Sequence, residues 1–147
     1  MNSTEVVARM ATVEEYRFLR RSVGWHSPPD DARTAAALAA SLYGVVAQDC
    51  SQPSPAIGMG RIIGDGLYGV VVDVIVLPEW QGCAVGTALV ENLITWAVAQ
   101  AIPNLGLVAD DLIADFYRRR WPLELSGQYL RLAPAGRPGA GPRNKTT

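Results

Sequence analysis

The 147-residue sequence is poor in cysteine, histidine and charge. Its two cysteines, Cys50 and Cys83, are too few for a disulfide scaffold in a chain of this length, and they fit a reducing compartment. There is one histidine, and no group of His, Cys, Asp and Glu residues has metal-ligand spacing, so no metal site is predicted. The net charge of -1 excludes an overall basic field that would attract nucleic acid or a membrane surface.

Long apolar runs and targeting signals are also missing. The longest apolar run, Val70 to Leu77, is interrupted by Asp73 and is far too short to span a membrane. The N-terminal residues lack the cationic start and apolar stretch of a signal peptide. We therefore expect a cytoplasmic protein, with neither nucleic acid nor a membrane among its partners.

The apolar content is sufficient for one packed core. Hydrophobic residues make up 49% of the chain, and 147 residues suit a single domain. Residues 134–147 differ: they are rich in Gly and Pro, carry three cations and show no apolar period. We predict one domain over residues 1–133, followed by a disordered basic tail over residues 134–147.

The order of predicted elements indicates an α/β (α+β) fold. Thr12 and Glu15 have the spacing of a capping box at the start of a helix, and Asp30 or Asp31 lies near the start of a second, alanine-rich helix. Strands are expected at residues 43–48, 56–63 and 68–77, and their short connections predict an antiparallel meander. The remaining elements are a helix from Val85, a strand at 105–109, a helix capped by Asp110 or Asp111, and a last strand at 128–132. The N-terminal segment is expected to contain little strand.

The connection between the third strand and the helix from Val85 has the chemistry of an anion site. Pro78 ends the strand, and small residues at 82, 84 and 86 let a ligand approach the backbone closely. The first amides of the following helix have no intrahelical partner and lie at the positive end of the helix dipole. These features suit a phosphate or pyrophosphate. The alternative is a tight turn that needs small residues only for packing.

The segment Val76-Leu77-Pro78-Glu79-Trp80-Gln81-Gly82-Cys83-Ala84-Val85-Gly86 resembles the acyl-CoA signature of the GNAT superfamily of N-acetyltransferases. The resemblance extends upstream to Gly58-Met59-Gly60-Arg61 and downstream to Phe116-Tyr117. A Walker-type phosphate loop is excluded because no Gly-Lys-Ser/Thr follows. A dinucleotide fingerprint is disfavoured because a meander, rather than a βαβ unit, precedes the loop.

The resemblance implies a single GNAT-type domain with a central mixed, mostly antiparallel sheet, splayed central strands and flanking helices. It also implies an N-acetyltransferase that moves an acetyl group from acetyl-CoA to a primary amine by direct attack in a ternary complex. The backbone matching Gln81 to Gly86 would hold the pyrophosphate, the strand matching Val74 to Val76 would pair with pantetheine, and Tyr117 would be the general acid. The cofactor-binding residues are then Val74, Ile75, Val76, Gln81, Gly82, Cys83, Ala84, Val85, Gly86 and Thr87.

The general base and the acceptor are less well defined by the sequence. Asp73 is the only acidic residue in the third strand and is the candidate base, although a bulge would be needed to re-aim it. The alternative is a buried structural carboxylate bonded to backbone amides. Trp25 and His26 fall in the region that helps to form the acceptor pocket in relatives, and Arg61 is expected in an ion pair.

A small-molecule amine is the expected acceptor, since no acidic or peptide-reading appendage is visible in the sequence. The resemblance also allows a homodimer, because related enzymes often dimerise. Two other functions stay open. One is a non-catalytic acyl-CoA-binding module, suggested by the weak general base, by Ala84 in the loop and by the unusual Arg118-Arg119-Arg120 after Tyr117. The other is a GNAT-type fold recruited for different biosynthetic chemistry.

Overall fold

A five-stranded mixed sheet occupies the first of the two compact units into which the chain divides, residues 1–108 and 109–147. The computed structural model describes residues 3–28, 30–53 and 55–132. The predicted basic tail, residues 134–147, lies outside the described residues.

The sheet has the strand order β1-β2-β3-β4-β5. Neighbouring strands from β1 to β4 are antiparallel, and β5 runs parallel to β4. This arrangement confirms the predicted mixed, mostly antiparallel sheet. The strands are β1 (Thr4–Val7), β2 (Tyr43–Asp49), β3 (Gly58–Gly64), β4 (Tyr68–Val76) and β5 (Asn104–Leu107).

Three α-helices accompany the sheet in the first unit: α1 (Val13–Ser22), α2 (Asp31–Ala39) and α3 (Val85–Ala99). The capping box before α1 is confirmed. The Thr12 hydroxyl accepts a hydrogen bond from the Glu15 amide at 3.1 Å, and the Glu15 carboxylate accepts one from the Thr12 amide at 3.0 Å. At the start of α2, the Asp30 side chain accepts a hydrogen bond from the Arg33 amide at 2.6 Å. Polar caps therefore fix both helix starts.

The core of the first unit lies between the sheet and the helices, and α3 supplies two of its fully buried side chains, Leu89 and Leu93. The glycines that weaken the strand pattern of β3 serve this packing. A Cβ atom on Gly60 would stand 2.8 Å from Cδ1 of Leu93. The missing side chain therefore lets α3 lie close to the sheet at this point.

Two sequence-based expectations for strands are wrong. The N-terminal segment does contain a strand, β1, which pairs with β2 from Thr4 opposite Asp49 to Val7 opposite Val46. The strand expected at 128–132 is absent, because these residues form no regular structure and Tyr129 and Leu130 are 70% and 87% exposed. Both errors concern short segments whose state depends on a distant pairing partner rather than on local pattern.

The second unit contains one helix among its described residues, α4 (Asp111–Arg120), with Asp110 as N-cap. Asp110 occupies the predicted cap position, although its side chain makes no capping hydrogen bond. Three arginines, Arg118, Arg119 and Arg120, lie in the last turn, where positive charge complements the helix dipole. Within the described parts of both units, no helix is long and apolar enough to cross a membrane.

Candidate functional site

The two central strands part halfway along β4. Pairing between β4 and β5 runs only from Tyr68 opposite Asn104 to Val71 opposite Leu107. Among the described residues, no strand pairs with Val72–Val76 on that side. The backbone that the family resemblance assigns to pantetheine, Val74 to Val76, therefore lies on the unpaired stretch.

A β-bulge lies at the point where the strands part. The register between β3 and β4 shifts between Arg61 opposite Val72 and Met59 opposite Ile75, so β4 carries one extra residue there. Asp73 occupies the bulge with φ of 54°, in the left-handed region that few non-glycine residues adopt. Asp is one of the residues that tolerate this conformation, because its short polar side chain can bond locally.

The chain then turns from β4 into α3 through a short 3₁₀ segment, Pro78–Trp80. The Gln81 side chain donates a hydrogen bond to the Val76 carbonyl at 3.1 Å, which fastens the loop to the end of the strand. Gly82 has φ of 78°, and a Cβ there would meet nothing within 4 Å, so the loop surface is open at this point. The exposed Cys83 thiol lies 3.9 Å from the Gln81 carbonyl oxygen.

The start of α3 presents a row of free backbone N–H groups. Its first helical hydrogen bond runs from the Ala88 amide to the Ala84 carbonyl at 3.0 Å. The amides from Gly82 to Thr87 find no acceptor within the part of the chain that the structure describes. Ala84, the N-cap, is left-handed with φ of 63° and offers no capping side chain, and the first turn of α3 has no acidic residue.

This open helix start is chemically unusual. Ala is a poor N-cap, and replacing a polar cap by Ala costs about 1 kcal/mol of helix stability. Six consecutive donors at the positive end of a helix dipole suit an oxyanion. The residues predicted for the cofactor therefore fall on one continuous strand–loop–helix element. The donor set fits the pyrophosphate of a CoA molecule.

Asp73 accepts hydrogen bonds from three side chains. The Tyr16 hydroxyl donates to its Oδ2 at 2.9 Å, Arg61 Nε donates to the same oxygen at 2.8 Å, and Arg20 Nη1 donates to Oδ1 at 3.2 Å. Burial, and then the charge of Asp73, raises the pKa of Tyr16, so this phenol stays a donor. The partners of Asp73 are therefore side chains from α1 and β3, not the backbone amides of the structural alternative considered above.

Arg20 connects this cluster to the predicted acceptor residues. Its Nε donates to the His26 carbonyl at 2.7 Å, and its Cζ lies 5.4 Å from the centre of the Trp25 ring. Asp73 and the Trp25–His26 loop are therefore joined through one guanidinium. Sequence reasoning missed Arg20 and Tyr16, because nothing local indicates an acidic partner more than 50 residues away. Their i, i+4 spacing on α1 is the one signal that relates them to each other.

Tyr117 belongs to the second unit. It lies on α4, in edge-to-face contact with Phe116 at 5.5 Å between ring centroids, and 6.0 Å from the Trp121 ring. Burial raises the pKa of Tyr117, which keeps the phenol protonated at neutral pH. In the last turn of α4, the Arg120 guanidinium stacks over Phe116 at 3.8 Å. Among the described residues, no three His, Cys, Asp or Glu side chains gather as they would around a metal ion.

Known proteins resemble this chain in sequence. The model of the Acetyltransferase (GNAT) family matches residues 10–120. GCN5-related N-acetyltransferase 2, chloroplastic, from Arabidopsis thaliana is 40% identical over 68 residues, covering 46% of this chain and 26% of the relative. Histone acetyltransferase TAP1 from Glycine max is 32% identical over 114 residues, covering 72% of this chain and 49% of the relative. The chain thus spans less than half the length of these two relatives.

The fold also matches a solved structure. A probable acetyltransferase from methicillin-resistant Staphylococcus aureus, itself a protein of unknown function, superimposes with a TM-score of 0.71 and 28% identity. That match covers 88% of this chain and all of the other. The family model spans the bulged strand, the open helix start and α4 together. The chain therefore belongs to the GNAT family of acetyltransferases.

Proposed function

We propose that the protein moves an acetyl group from acetyl-CoA to a primary amine, by direct attack of the amine on the thioester in a ternary complex. Family membership supports acyl transfer in general, with acetyl-CoA as the donor. A small-molecule amine is our proposed acceptor. The soybean relative's name refers to a histone, so a protein acceptor must be included in the test.

The observation that carries this proposal is the row of free amides from Gly82 to Thr87. A strand-to-helix turn needed only for packing would tolerate a polar N-cap, which would stabilise α3. The chain has Ala84 instead and keeps acids out of the first turn. Both features leave the donors free for an external anion. The CoA pyrophosphate, with several oxygens on a flexible tether, suits such a surface.

The unpaired stretch of β4 supports a contact with the other part of acetyl-CoA, the pantetheine arm. Ile75 and Val76 pair with β3, opposite Met59 and Gly58, and among the described residues no strand pairs with Val74 to Val76 on the other side. A pantetheine arm contains two amide groups, which can bond to a free strand edge as a neighbouring strand would. We assign Val74, Ile75 and Val76 to this contact, and Gln81 to Thr87 to the pyrophosphate.

The proposed reaction needs only a few side chains of the protein. A neutral amine attacks the thioester carbonyl carbon, the carbon–sulfur bond breaks, and the CoA thiolate leaves. We propose that the Tyr117 phenol protonates this thiolate, a role its raised pKa suits. The nitrogen must also lose a proton. Asp73 as the base stays a prediction, but its carboxylate already accepts three side-chain hydrogen bonds, so we propose that water takes the proton.

Calorimetry with acetyl-CoA tests the donor site. We expect binding that weakens when Ala84 is changed to Asp, because a carboxylate at the N-cap would occupy the amides and repel the pyrophosphate. Ala84→Asn is the matched control, since it adds a neutral side chain of the same shape and also tolerates a left-handed backbone. No binding of acetyl-CoA at millimolar concentration would refute the proposed function.

Thiol release across a panel of amines tests turnover and the role of Tyr117. We expect Tyr117→Phe to lower kcat by about 100-fold or more while acetyl-CoA affinity changes little, because general acids contribute about that factor. Tyr129→Phe is the matched control, since Tyr129 is a 70% exposed tyrosine of the same unit. The panel includes small amines and a lysine-rich histone peptide. An unchanged kcat would remove Tyr117 from the mechanism.

A second function, a non-catalytic acyl-CoA-binding module, is favoured by one observation. The only carboxylate of β4, Asp73, is already held by three donors, so the strand offers no free carboxylate as a base. In that case acetyl-CoA binds, but no amine or peptide of the panel accelerates thiol release. The two experiments together therefore distinguish an enzyme, a binding module and a fold recruited for chemistry without CoA.

A further inference from the structure

We propose that Arg20 and Arg61, held in place by Asp73, bind an anionic group on the acceptor, so that the preferred acceptor is an amine carrying a carboxylate or a phosphate. This inference rests on the acetyl transfer proposed above and names the substrate class of that site. The charge, the hydrogen bonding and the burial of the three side chains support such a site.

The cluster has more positive than negative charge. Asp73 is the single carboxylate, and it faces the two guanidinium groups at 2.8 and 3.2 Å. Tyr16, the remaining partner, is a neutral phenol. The ion pair between α1 and α2, Arg17 with Asp31, is separate from this cluster and is balanced within itself. One positive charge of the cluster therefore has no counterion among the described residues.

Each arginine also has an unused donor. Arg20 uses Nε for the His26 carbonyl and Nη1 for Asp73, with Tyr16 Oη a further 3.4 Å contact. Arg61 uses Nε for Asp73 and Nη1 for the Ser41 hydroxyl at 3.0 Å. Within the described part of the chain, Nη2 of each arginine has no acceptor. Neither atom is among the buried polar atoms that lack a partner, so both reach solvent.

Burial makes this unused charge significant. The side chains of Arg20 and Arg61 are only 20% and 12% exposed. A charge removed from water is costly unless it is paired, and an exposed surface arginine would carry no such penalty. An oxyanion of a ligand would supply the missing counterion. Guanidinium suits carboxylate and phosphate because its planar donors match their oxygens.

The position of the cluster relates it to the proposed reaction. Asp73 directly precedes Val74, the first residue assigned to pantetheine, and it lies where β4 and β5 part. Arg20 contacts the Trp25–His26 loop, which the sequence assigns to the acceptor. In this arrangement Asp73 is a positioning residue: it holds both arginines and does not itself touch the acceptor.

Matched amines test the proposal on the wild-type protein. Thiol release is measured with 5-aminopentanoate against pentylamine, and with O-phosphoethanolamine against ethanolamine. We expect kcat/KM about tenfold or more higher for the anionic member of at least one pair, because hydrogen bonds between charged groups are of that strength. The pair that shows the larger ratio distinguishes carboxylate from phosphate. Equal rates, or a preference for the neutral amines in both pairs, would overturn the proposal.

A binding measurement separates this proposal from the proposed function. Calorimetry compares 5-acetamidopentanoate with N-pentylacetamide, and O-phosphoethanolamine with ethanolamine; none of these titrations requires turnover. We expect measurable affinity for an anionic member, falling as salt increases. Binding of that kind without any thiol release would refute acetyl transfer but support the arginine site. Thiol release with no preference for the anionic ligands in either assay would support acetyl transfer but refute the arginine site.

Substitutions identify the residues. Arg61→Gln should reduce the anionic-to-neutral ratio of kcat/KM toward one, mainly by raising KM for the anionic amine, and Arg61→Lys should restore part of it because it keeps the charge. Arg33→Gln is the matched control, an exposed arginine on α2 outside the cluster. A ratio that survives in a folded Arg61→Gln variant would overturn the assignment. If that variant does not fold, Arg61→Lys and the wild-type ratios still decide.

Discussion

Two carboxylates of this protein are held by arginine in different ways. Glu15 on α1 accepts hydrogen bonds from Nη1 and Nη2 of Arg9, at 2.7 and 3.0 Å, and from the backbone amides of Thr12 and Ala56. Burial alone would raise the pKa of Glu15, but these hydrogen bonds outweigh it and lower the pKa to about 2. One carboxylate thus balances one guanidinium, and two further oxygen contacts satisfy backbone donors.

Asp73 is held differently. All its donors are side chains, two of them charged, and it occupies a left-handed bulge rather than a regular element. The balanced site at Glu15 joins the first helix to the segment just before β3. It has no excess charge that would attract a ligand. Among the described residues, the cluster at Asp73 has one positive charge without a counterion and two arginine donors without an acceptor, next to the strand that we assign to pantetheine. This difference in charge balance is the reason why we propose a ligand at Asp73 and none at Glu15.

We expect the largest change in stability from a substitution at Asp73. Asp73→Asn should lower the free energy of unfolding by about 3–5 kcal/mol, because two largely buried guanidinium groups lose their shared counterion. Asn tolerates a left-handed backbone, so the loss reports charge rather than strain. Urea denaturation of the variant and the wild type measures it. A loss below about 1 kcal/mol, the value of one ordinary hydrogen bond, would contradict this account.

The same isosteric change at Glu15 should have a smaller effect. Glu15→Gln is expected to cost about 2 kcal/mol, because Arg9 is 34% exposed and can turn to water, and the amide oxygen can still accept one backbone hydrogen bond. The acceptor preference should not change, since Glu15 lies outside the Asp73 cluster. Urea denaturation and the matched amine pairs check both statements. A cost equal to that of Asp73→Asn would remove the distinction between the two sites.

The pH dependence of stability sharpens the contrast further. The pKa of Glu15 is 4.5 when exposed and about 2 in the folded protein, so its contribution is complete above 4.5 and is lost as pH falls toward 2. The loss is on the order of 2 kcal/mol once solvent screening near Arg9 is allowed for. Unfolding free energies measured downward from about pH 6 should therefore converge for wild type and Glu15→Gln. Parallel curves would be inconsistent with the lowered pKa.

Tyr16→Phe should have the smallest effect. It removes one neutral hydrogen bond from Asp73 and leaves both arginines in place, so we expect a loss of about 1 kcal/mol. The preference for anionic amines should persist. A collapse of that preference would show that the phenol, rather than the carboxylate alone, holds the arginines in position.

Local chemistry made much of the fold predictable. The capping box at Thr12 and Glu15 and the Asp30 cap were correct because each is closed by residues within three positions. The strand–loop–helix around Gln81 was also recognisable, since its small residues are contiguous in sequence. The predictions that are wrong concern strands, which depend on distant partners. For example, β1 forms because it pairs with β2, more than 35 residues away.

The Asp73 cluster shows the same limit within the site. The sequence identifies Asp73 as the one acidic residue of its strand and indicates that a bulge could re-aim it. It could not show that Tyr16 and Arg20, 57 and 53 residues away, meet that carboxylate. Counting charges across such a cluster requires the assembled sheet, and the excess of positive charge is visible only there.

The unpaired stretch of β4 has a consequence for handling the protein. Among the described residues, no strand pairs with Val72 to Val76 on the β5 side, a stretch of four apolar residues and Asp73, and unpaired edges of this kind are templates for intermolecular pairing and aggregation. A donor molecule lying along that edge would occupy its backbone groups as an added strand does. Acetyl-CoA would then protect the chain from self-association as well as serve as the acetyl donor. Purified protein should stay soluble longer in its presence.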